Sequence, residues 1–233
     1  DLGGRPATIS SMFTALVVWL MLKWEEQADE PHSARWIILI AYLMGLSIGV
    51  HLLNLLTIPA LVFIYYFRKY KSITLKGLAL VTLLACAILL VLNGIIIPYT
   101  VYLGAMVDVF FVNSLGLPVN MGISVFALAV LGALFYGVIR THRAGRKVWN
   151  LILLSTLMIL IGFSSYATVT IRAVANPPMN SNNPNNPQAL LSVLNRDQYG
   201  NRPLLYGAYY SSPIEDYTEK TSYKFNPNTK KYE

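Results

Sequence analysis

The stretch that decides the fold runs from Phe163 to Gly207 and reads FSSYATVTIRAVANPPMNSNNPNNPQALLSVLNRDQYGNRPLLYG. Apolar segments dominate the chain ahead of it. No later segment stays apolar over the roughly 20 residues that a helix needs to cross a bilayer. We therefore predict a transmembrane helical bundle over residues 1–171, followed by a polar, tyrosine-rich segment over residues 172–233.

The composition is that of a membrane protein. Hydrophobic residues make up 55% of the 233 residues and charged residues only 12%, whereas soluble domains carry about 25% charged residues. The formal net charge of +7 lies mainly in loops between apolar segments. This distribution indicates orientation in a membrane and not nucleic-acid binding. Cys86 is the single cysteine, so an internal disulfide is excluded.

The apolar segments predict about six transmembrane helices and thus an all-α polytopic membrane protein. Their expected bounds are 9–22, 36–50, 55–67, 77–97, 122–139 and 148–171. The second and third helices come from one apolar run, 36–67, which as a single helix would be about 48 Å long against a hydrocarbon core of about 30 Å. Polar residues in its middle, together with Pro59, favour a turn at His51–Thr57. One long span is the alternative.

Residues 98–121 form a different kind of segment, because proline, glycine and polar residues interrupt it. We expect an interfacial helix here and not a span. Its apolar side would consist of Val107, Phe110, Phe111 and Leu115. Asp108 has two interpretations: a catalytic base or metal ligand on the outer face, or a residue on the wet side of this helix. We favour the second.

The loops give the orientation. Loops 68–76 and 140–147 each hold four basic residues and no acid, whereas 51–57 and 98–121 hold no Lys or Arg. Because basic loops stay on the cytoplasmic side, we place residues 172–233 outside, as a short extracytoplasmic α/irregular tail. Within it, Asn186 as N-cap and Pro187 as first helical residue predict a short helix over 188–197. Residues 217–233 predict a strand or hairpin.

Six residues are candidates for binding a substrate or a lipid phosphate: His51, Asn54, Arg172, Arg196, Gln198 and Tyr199. His51 and Asn54 are either a polar pair that lines an outward cavity or a capped helix end. Arg172 is either a snorkelling anchor or a grip for a lipid phosphate. The other three combine donors with an aromatic face, which suits a sugar or an extended peptide, or else they bond within their own loop. The sequence contains no Cys/His cluster that would predict a metal site.

We further predict that these candidates form one shared site. The expected helix at 188–197 has an apolar side that needs a surface, and the outer rim of the bundle is the nearest one. Docking there would bring Arg196 and Tyr199 to within about 20 Å of His51, roughly two helix diameters.

Several blocks of the sequence resemble one family. They are Ser10–Ala15, Leu22–Glu25, Trp36–Leu56 with IAYLMGLSIGVHLLNLL, Asn176–Pro178, LNRDQYG at 194–200 and PLLYG at 203–207. In combination they resemble a bacterial family of multi-span proteins, long filed as a domain of unknown function. That family is related to the vertebrate transmembrane protein O-mannosyltransferase and is placed among the GT-C glycosyltransferases. The resemblance covers nearly all of residues 10–215.

The resemblance implies a GT-C-like enzyme of the bacterial inner membrane. Such an enzyme takes a sugar from a polyprenyl-phosphate donor and transfers it to a Ser or Thr of a protein acceptor on the outer face. The family's catalytic acid is expected upstream of Asp1, so this chain resembles the middle of a longer protein and is expected to be inactive alone. The alternative is a transporter or lipid-handling protein, but a transporter would show paired broken helices, and only one broken region is evident.

Overall fold

The computed structural model describes residues 4–195, 197 and 222–233, with side chains from Thr8 onward. Its helices are α1 (Gly4–Glu26), α2 (Ala34–Val50), α3 (Ile58–Lys69), α4 (Leu75–Val91), α5 (Ile97–Leu115), α6 (Met121–Arg143), α7 (Lys147–Phe163), α8 (Ala167–Val174) and α9 (Pro187–Leu194). Short 3-10 turns cover Leu52–Thr57 and Ser164–Tyr166, and a π-turn covers Leu92–Ile96. Two strands, β1 (Phe225–Asn226) and β2 (Lys231–Tyr232), pair antiparallel near the end of the chain.

Four helical stretches in the described part of the chain are long and apolar enough to cross a membrane. They are Leu52–Lys69, Leu75–Leu115, Met121–Arg143 and Lys147–Val174. A shorter apolar helix, α2, has 17 residues. These helices fit an integral membrane protein, in agreement with the composition. The number of six spans stays a prediction.

The chain divides into two compact units. The first unit consists of Asp1–Ile97 and Ala127–Thr168, and the second consists of Pro98–Phe126 and Val169–Glu233. The predicted division into a bundle of residues 1–171 and an extracytoplasmic segment of residues 172–233 stays a prediction, since it concerns position in a membrane.

The apolar run over residues 36–67 is broken at its polar centre. His51 has an extended backbone (φ −158°, ψ 119°), so α2 ends at Val50 and the 3-10 turn leads into α3. Pro59 lies in the first turn of α3, where its missing N–H costs no helical hydrogen bond. The predicted interruption at His51–Thr57 is thereby confirmed. On either side of the break the two halves both contact α1, but α2 also packs on α7 whereas α3 also packs on α4.

Glycines lie at the crossing of α2 and α7 in the first unit. A side chain at Gly45 would collide with the backbone of Ile159, and one at Gly162 would collide with the backbones of Tyr42 and Leu46. Small residues let two helix backbones approach closely, which is the usual basis of helix association in membranes. The crossing of α2 and α7 therefore depends on the absence of a Cβ atom on both helices.

Residues 75–115, which include α4 and α5, are helical without a gap over 41 residues. The π-turn joins them, because the N–H of Ile97 donates to the C=O of Leu92, five residues earlier. Pro98 directly follows this wider turn, where a residue without an N–H and with a bulky ring is tolerated. The expected interruptions within 98–115 are therefore wrong, because Ile97–Leu115 is one α-helix. The interfacial placement of this helix, with Val107, Phe110, Phe111 and Leu115 on its apolar side, stays a prediction. The helix ends only before Gly116, whose φ is +65°.

The local signals near the end of the chain correspond to the structure. Asn186 is the N-cap of α9, its side-chain Oδ1 accepts from the N–H of Ala189 at 2.9 Å, and Pro187 is the first helical residue. The strand pair β1–β2 is the predicted hairpin. The predicted start of this helix is confirmed, but its predicted end at 197 is wrong because α9 ends at Leu194. Of the two alternatives for residues 217–233, the described part shows the hairpin. A cap and a tight hairpin are specified by residues adjacent in sequence.

Candidate functional site

The first polar site lies at the break between α2 and α3. The Nδ1 atom of His51 accepts from the N–H of Leu53 at 3.2 Å, so the imidazole caps the 3-10 turn. The hydroxyl of Thr57 donates to the C=O of Asn54 at 2.7 Å and closes the other end of the turn. His51 thus has the capping role that the sequence left open as one alternative, while the side chain of Asn54 takes no part in the cap.

The side chain of Asn54 is turned toward α1. Its Oδ1 atom accepts from the hydroxyl of Ser10 at 2.5 Å and lies 3.4 Å from the hydroxyl of Thr14. Only 4% of Asn54 is exposed, and its Nδ2 atom has no hydrogen-bond partner among the described residues. A buried donor without a partner is uncommon and destabilising. Among the described residues of the first unit, it is the one buried side-chain group with an atom that lacks a hydrogen-bond partner.

The second polar site, in the second unit, is built around Asp108. This residue is completely buried. One carboxylate oxygen accepts from the N–H of Gly122 at 2.8 Å, and the other accepts from the N–H of Asn120 at 3.2 Å and from the hydroxyl of Tyr232 at 2.8 Å. The favoured interpretation of Asp108, a residue on the wet side of an interfacial helix, is wrong. Its carboxylate stabilises the first turn of α6, where backbone N–H groups and the helix dipole favour an anion.

Asn113, one and a half turns further along α5, holds the backbone of Tyr232. Its Nδ2 donates to the C=O of Tyr232 and its Oδ1 accepts from the N–H of Tyr232, each at 2.8 Å. The side-chain amide of Asn113 thus forms the two hydrogen bonds that a neighbouring strand would form with the edge of β2. Together, Asp108 and Asn113 fix the hairpin to α5 and to the start of α6.

Burial raises the pKa of the Tyr232 hydroxyl well above its usual value, and the hydrogen bond to Asp108 and the negative charge of that carboxylate raise it further. The folded state therefore keeps the phenol proton at a pH where the unfolded chain loses it. The stabilisation is complete below the ordinary tyrosine pKa of about 10 and declines above it. We expect the pH dependence of unfolding between about pH 9 and 12 to be steeper for the wild type than for Tyr232→Phe. Equal slopes in chemical denaturation would contradict this assignment.

A shallow cavity of about 320 Å³ also lies in the second unit. It is lined by Pro98, Tyr99, Tyr102, Leu191 and Asn195. The rings of Tyr99 and Tyr102 meet edge to face with their centroids 6.2 Å apart. Aromatic faces next to an amide suit a small ligand with both apolar and polar sides, such as a sugar ring. Sequence reasoning did not identify this cavity, because α5 and α9 are far apart in the chain.

Three of the six candidate residues lie in the described part of the chain. His51 and Asn54 lie one turn apart in the first unit, and Arg172 is exposed in the last turn of α8. Arg196, Gln198 and Tyr199 lie outside the described residues, so the shared site within about 20 Å of His51 stays a prediction.

Sequence reasoning missed the partners Ser10, Thr14, Asn113 and Tyr232. The one available signal was that Asp108 is the single acid between Glu30 and Asp197. Among the described residues, no group of three or more metal-binding side chains occurs.

The apolar helices and the polar break within them are those of a polytopic membrane protein with a buried polar site. Over residues 4–74 the chain matches the family described as Protein O-mannosyl-transferase TMEM260 N-terminal domain. The matched segment covers α1, α2, the 3-10 turn and α3, and so includes Ser10, Thr14 and Asn54. No curated protein and no solved structure matches the chain. Over this part, the match supports the relation to O-mannosyltransferases that the sequence suggests.

Proposed function

We propose that the chain is the membrane core of a GT-C-type glycosyltransferase resembling protein O-mannosyltransferases. It would use a polyprenyl-phosphate-linked sugar and a Ser or Thr of a protein acceptor on the outer face of a bacterial inner membrane. The proposal is supported by an overlap between the family match and the polar site. The segment similar to the O-mannosyltransferase family, residues 4–74, is the one that contains the broken helix and the buried Asn54 amide.

In such a transfer the acceptor hydroxyl attacks the anomeric carbon, and the bond from that carbon to the phosphate oxygen breaks. A base, usually a carboxylate, takes the hydroxyl proton. Asp108 does not suit this role, because two backbone N–H groups and a phenol already occupy its oxygens within 3.2 Å. We assign no catalytic base to a described residue. Donor binding, and not complete transfer, is therefore the activity to measure on this chain.

The test is a binding measurement on the purified chain in lipid nanodiscs. Three probes differ by one group each: polyprenyl-phosphate mannose, polyprenyl phosphate and polyprenol. We expect the affinity to fall in that order, because each step removes a polar group that a donor site would recognise. Equal affinity for all three lipids would contradict the proposal and favour a lipid-handling protein. Transport of the lipid or of a solute across vesicles, without selectivity for the mannosylated lipid, would favour a transporter.

Arg172 gives a prediction about the lipid phosphate. Its side chain is exposed in the last turn of α8, and a guanidinium fork suits phosphate oxygens. We expect Arg172→Ala to weaken the binding of polyprenyl phosphate about tenfold, a typical cost for one charge-assisted hydrogen bond. Arg196→Ala is expected to act in the same direction. The matched control is Arg140→Ala, an exposed arginine in the last turn of α6, which should leave this affinity unchanged.

The proposed topology also predicts accessibility to a membrane-impermeant thiol reagent. In a Cys86→Ala background, cysteines at Leu53 and Asn182, both exposed, are expected to react from outside. Cysteines at Ser72 and Ala144, which are exposed in basic loops, are expected to react only after the membrane is permeabilised. Labelling of Ser72 from outside would reverse the orientation. Protection of Leu53 together with labelling of Glu30→Cys would mean that α2 and α3 cross the membrane together as one broken span.

A further inference from the structure

We propose that the side-chain amide of Asn54 is a hydrogen-bond donor reserved for a hydroxyl of the sugar that the lipid donor carries. This inference rests on the proposed function and makes it specific, since it assigns the polar break to the sugar and not to the phosphate. The geometry that carries it is the amide itself. Its Oδ1 atom is bonded to Ser10, and its Nδ2 atom is buried with no partner among the described residues.

A structural role alone accounts poorly for this amide. Asn54 stands between two pairs of leucines, in the sequence LLNLL at residues 52–56, and only 4% of its surface is exposed. A leucine, which has the same number and branching of side-chain heavy atoms, would remove the buried donor that has no partner and so favour the folded state. The hydroxyls of Ser10 and Thr14 do not require Asn54 either, because Ser and Thr in helices can bond to carbonyls of the preceding turn. A polar group at a buried position where an apolar one would be more stable is typical of a binding site.

The chemistry of the break favours a neutral ligand group. The Nδ1 atom of His51 accepts from the N–H of Leu53 at 3.2 Å. The amide of Asn54 and the hydroxyls of Ser10 and Thr14 carry no charge. A buried phosphate would need a cation for compensation, whereas amide, imidazole and hydroxyl groups can both donate to and accept from sugar hydroxyls. A sugar hydroxyl is therefore the matching partner.

Binding would require a local movement. The Nδ2 atom is covered in this structure, and the residues beside it, Leu53 and Leu56, are 62% and 59% exposed. Asn54 lies on a six-residue 3-10 turn between two α-helices. Segments of this kind have weaker hydrogen-bond geometry than an α-helix and are frequent at hinges. A shift of this turn would uncover the amide without unfolding α2 or α3.

The test compares the purified wild type and Asn54→Leu in lipid nanodiscs, with polyprenyl-phosphate mannose and polyprenyl phosphate as the two probes. We expect N54L to lose about tenfold in affinity for the mannosylated lipid, as for one lost hydrogen bond. Its affinity for polyprenyl phosphate should remain within about twofold, well under the tenfold that one hydrogen bond represents. The melting temperature of N54L should be equal to or higher than that of the wild type. If N54L does not fold, N54M serves as the apolar replacement.

Two controls separate this role from a structural one. Ser10→Ala/Thr14→Val removes the contacts to α1 but keeps the amide, and should lower stability while retaining selectivity for the mannosylated lipid. Asn150→Leu removes an amide whose Nδ2 is already bonded to the C=O of Val138 at 2.8 Å, and should also lower stability without changing selectivity. A selective wild type with an equally selective N54L would overturn this inference and leave the proposed function standing. A wild type that does not distinguish the lipids would refute the proposed function and this inference with it.

Discussion

Gly45→Leu is expected to separate α2 from α7 and to destabilise the first unit. Any side chain at Gly45 meets the backbone of Ile159, and a backbone cannot rotate away as a side chain can. Overpacking of a fitted interface costs about 1–3 kcal/mol, and more where the obstacle is rigid. Gly162→Leu should act similarly, because its side chain would meet the backbones of Tyr42 and Leu46. Thermal unfolding in detergent, followed by the loss of monodisperse protein, measures the effect.

The matched control for this prediction is Gly132→Ala in α6. Gly132 is a helical glycine, and a methyl group added there would meet no atom within 4 Å outside its own helical backbone. Alanine is favoured over glycine in a helix by about 0.5–1 kcal/mol, so this variant should be as stable as the wild type or slightly more so. If Gly45→Leu and Gly132→Ala unfold at the same temperature, the close crossing of α2 and α7 is not important for stability.

Asp108→Ala is expected to detach the hairpin and to loosen the start of α6. The substitution leaves the N–H of Gly122, the N–H of Asn120 and the hydroxyl of Tyr232 without their common acceptor. Each buried donor that loses its partner costs about 1–3 kcal/mol, so we expect a total of about 3 kcal/mol or more. Hydrogen exchange should show faster exchange at the amides of Gly122 and Tyr232, well before global unfolding.

Graded variants at the same site separate its contacts. Tyr232→Phe removes only the phenol hydroxyl and is expected to cost about 1–2 kcal/mol, with the start of α6 still protected from exchange. Asn113→Ala removes both bonds to the backbone of Tyr232 and should release the hairpin while leaving Asp108 bonded to Gly122. Loss of protection at Gly122 in Tyr232→Phe would show that the hairpin, and not the carboxylate, holds this turn.

The features that the sequence predicted have local physical causes. The length and composition of apolar runs decide whether a helix can lie in a membrane. The break at His51–Thr57 follows from polar residues and Pro59 within a few positions of one another, and the start of α9 follows from Asn186 and Pro187. The same local reasoning failed at Pro98. A π-turn accommodates a proline that, by propensity alone, would interrupt the helix.

The sequence by itself therefore determined the class of protein, the broken apolar run and the caps of the short elements, because each depends on residues that are neighbours in the chain. Only the tertiary structure decided which polar groups meet. Asn54 reaches Ser10 across 44 positions, and Asp108 reaches Tyr232 across 124. A lone aspartate in an apolar segment gives no sign of whether water or a distant tyrosine will satisfy it. That depends on how the helices pack, since a buried carboxylate is stable only where several donors converge on it.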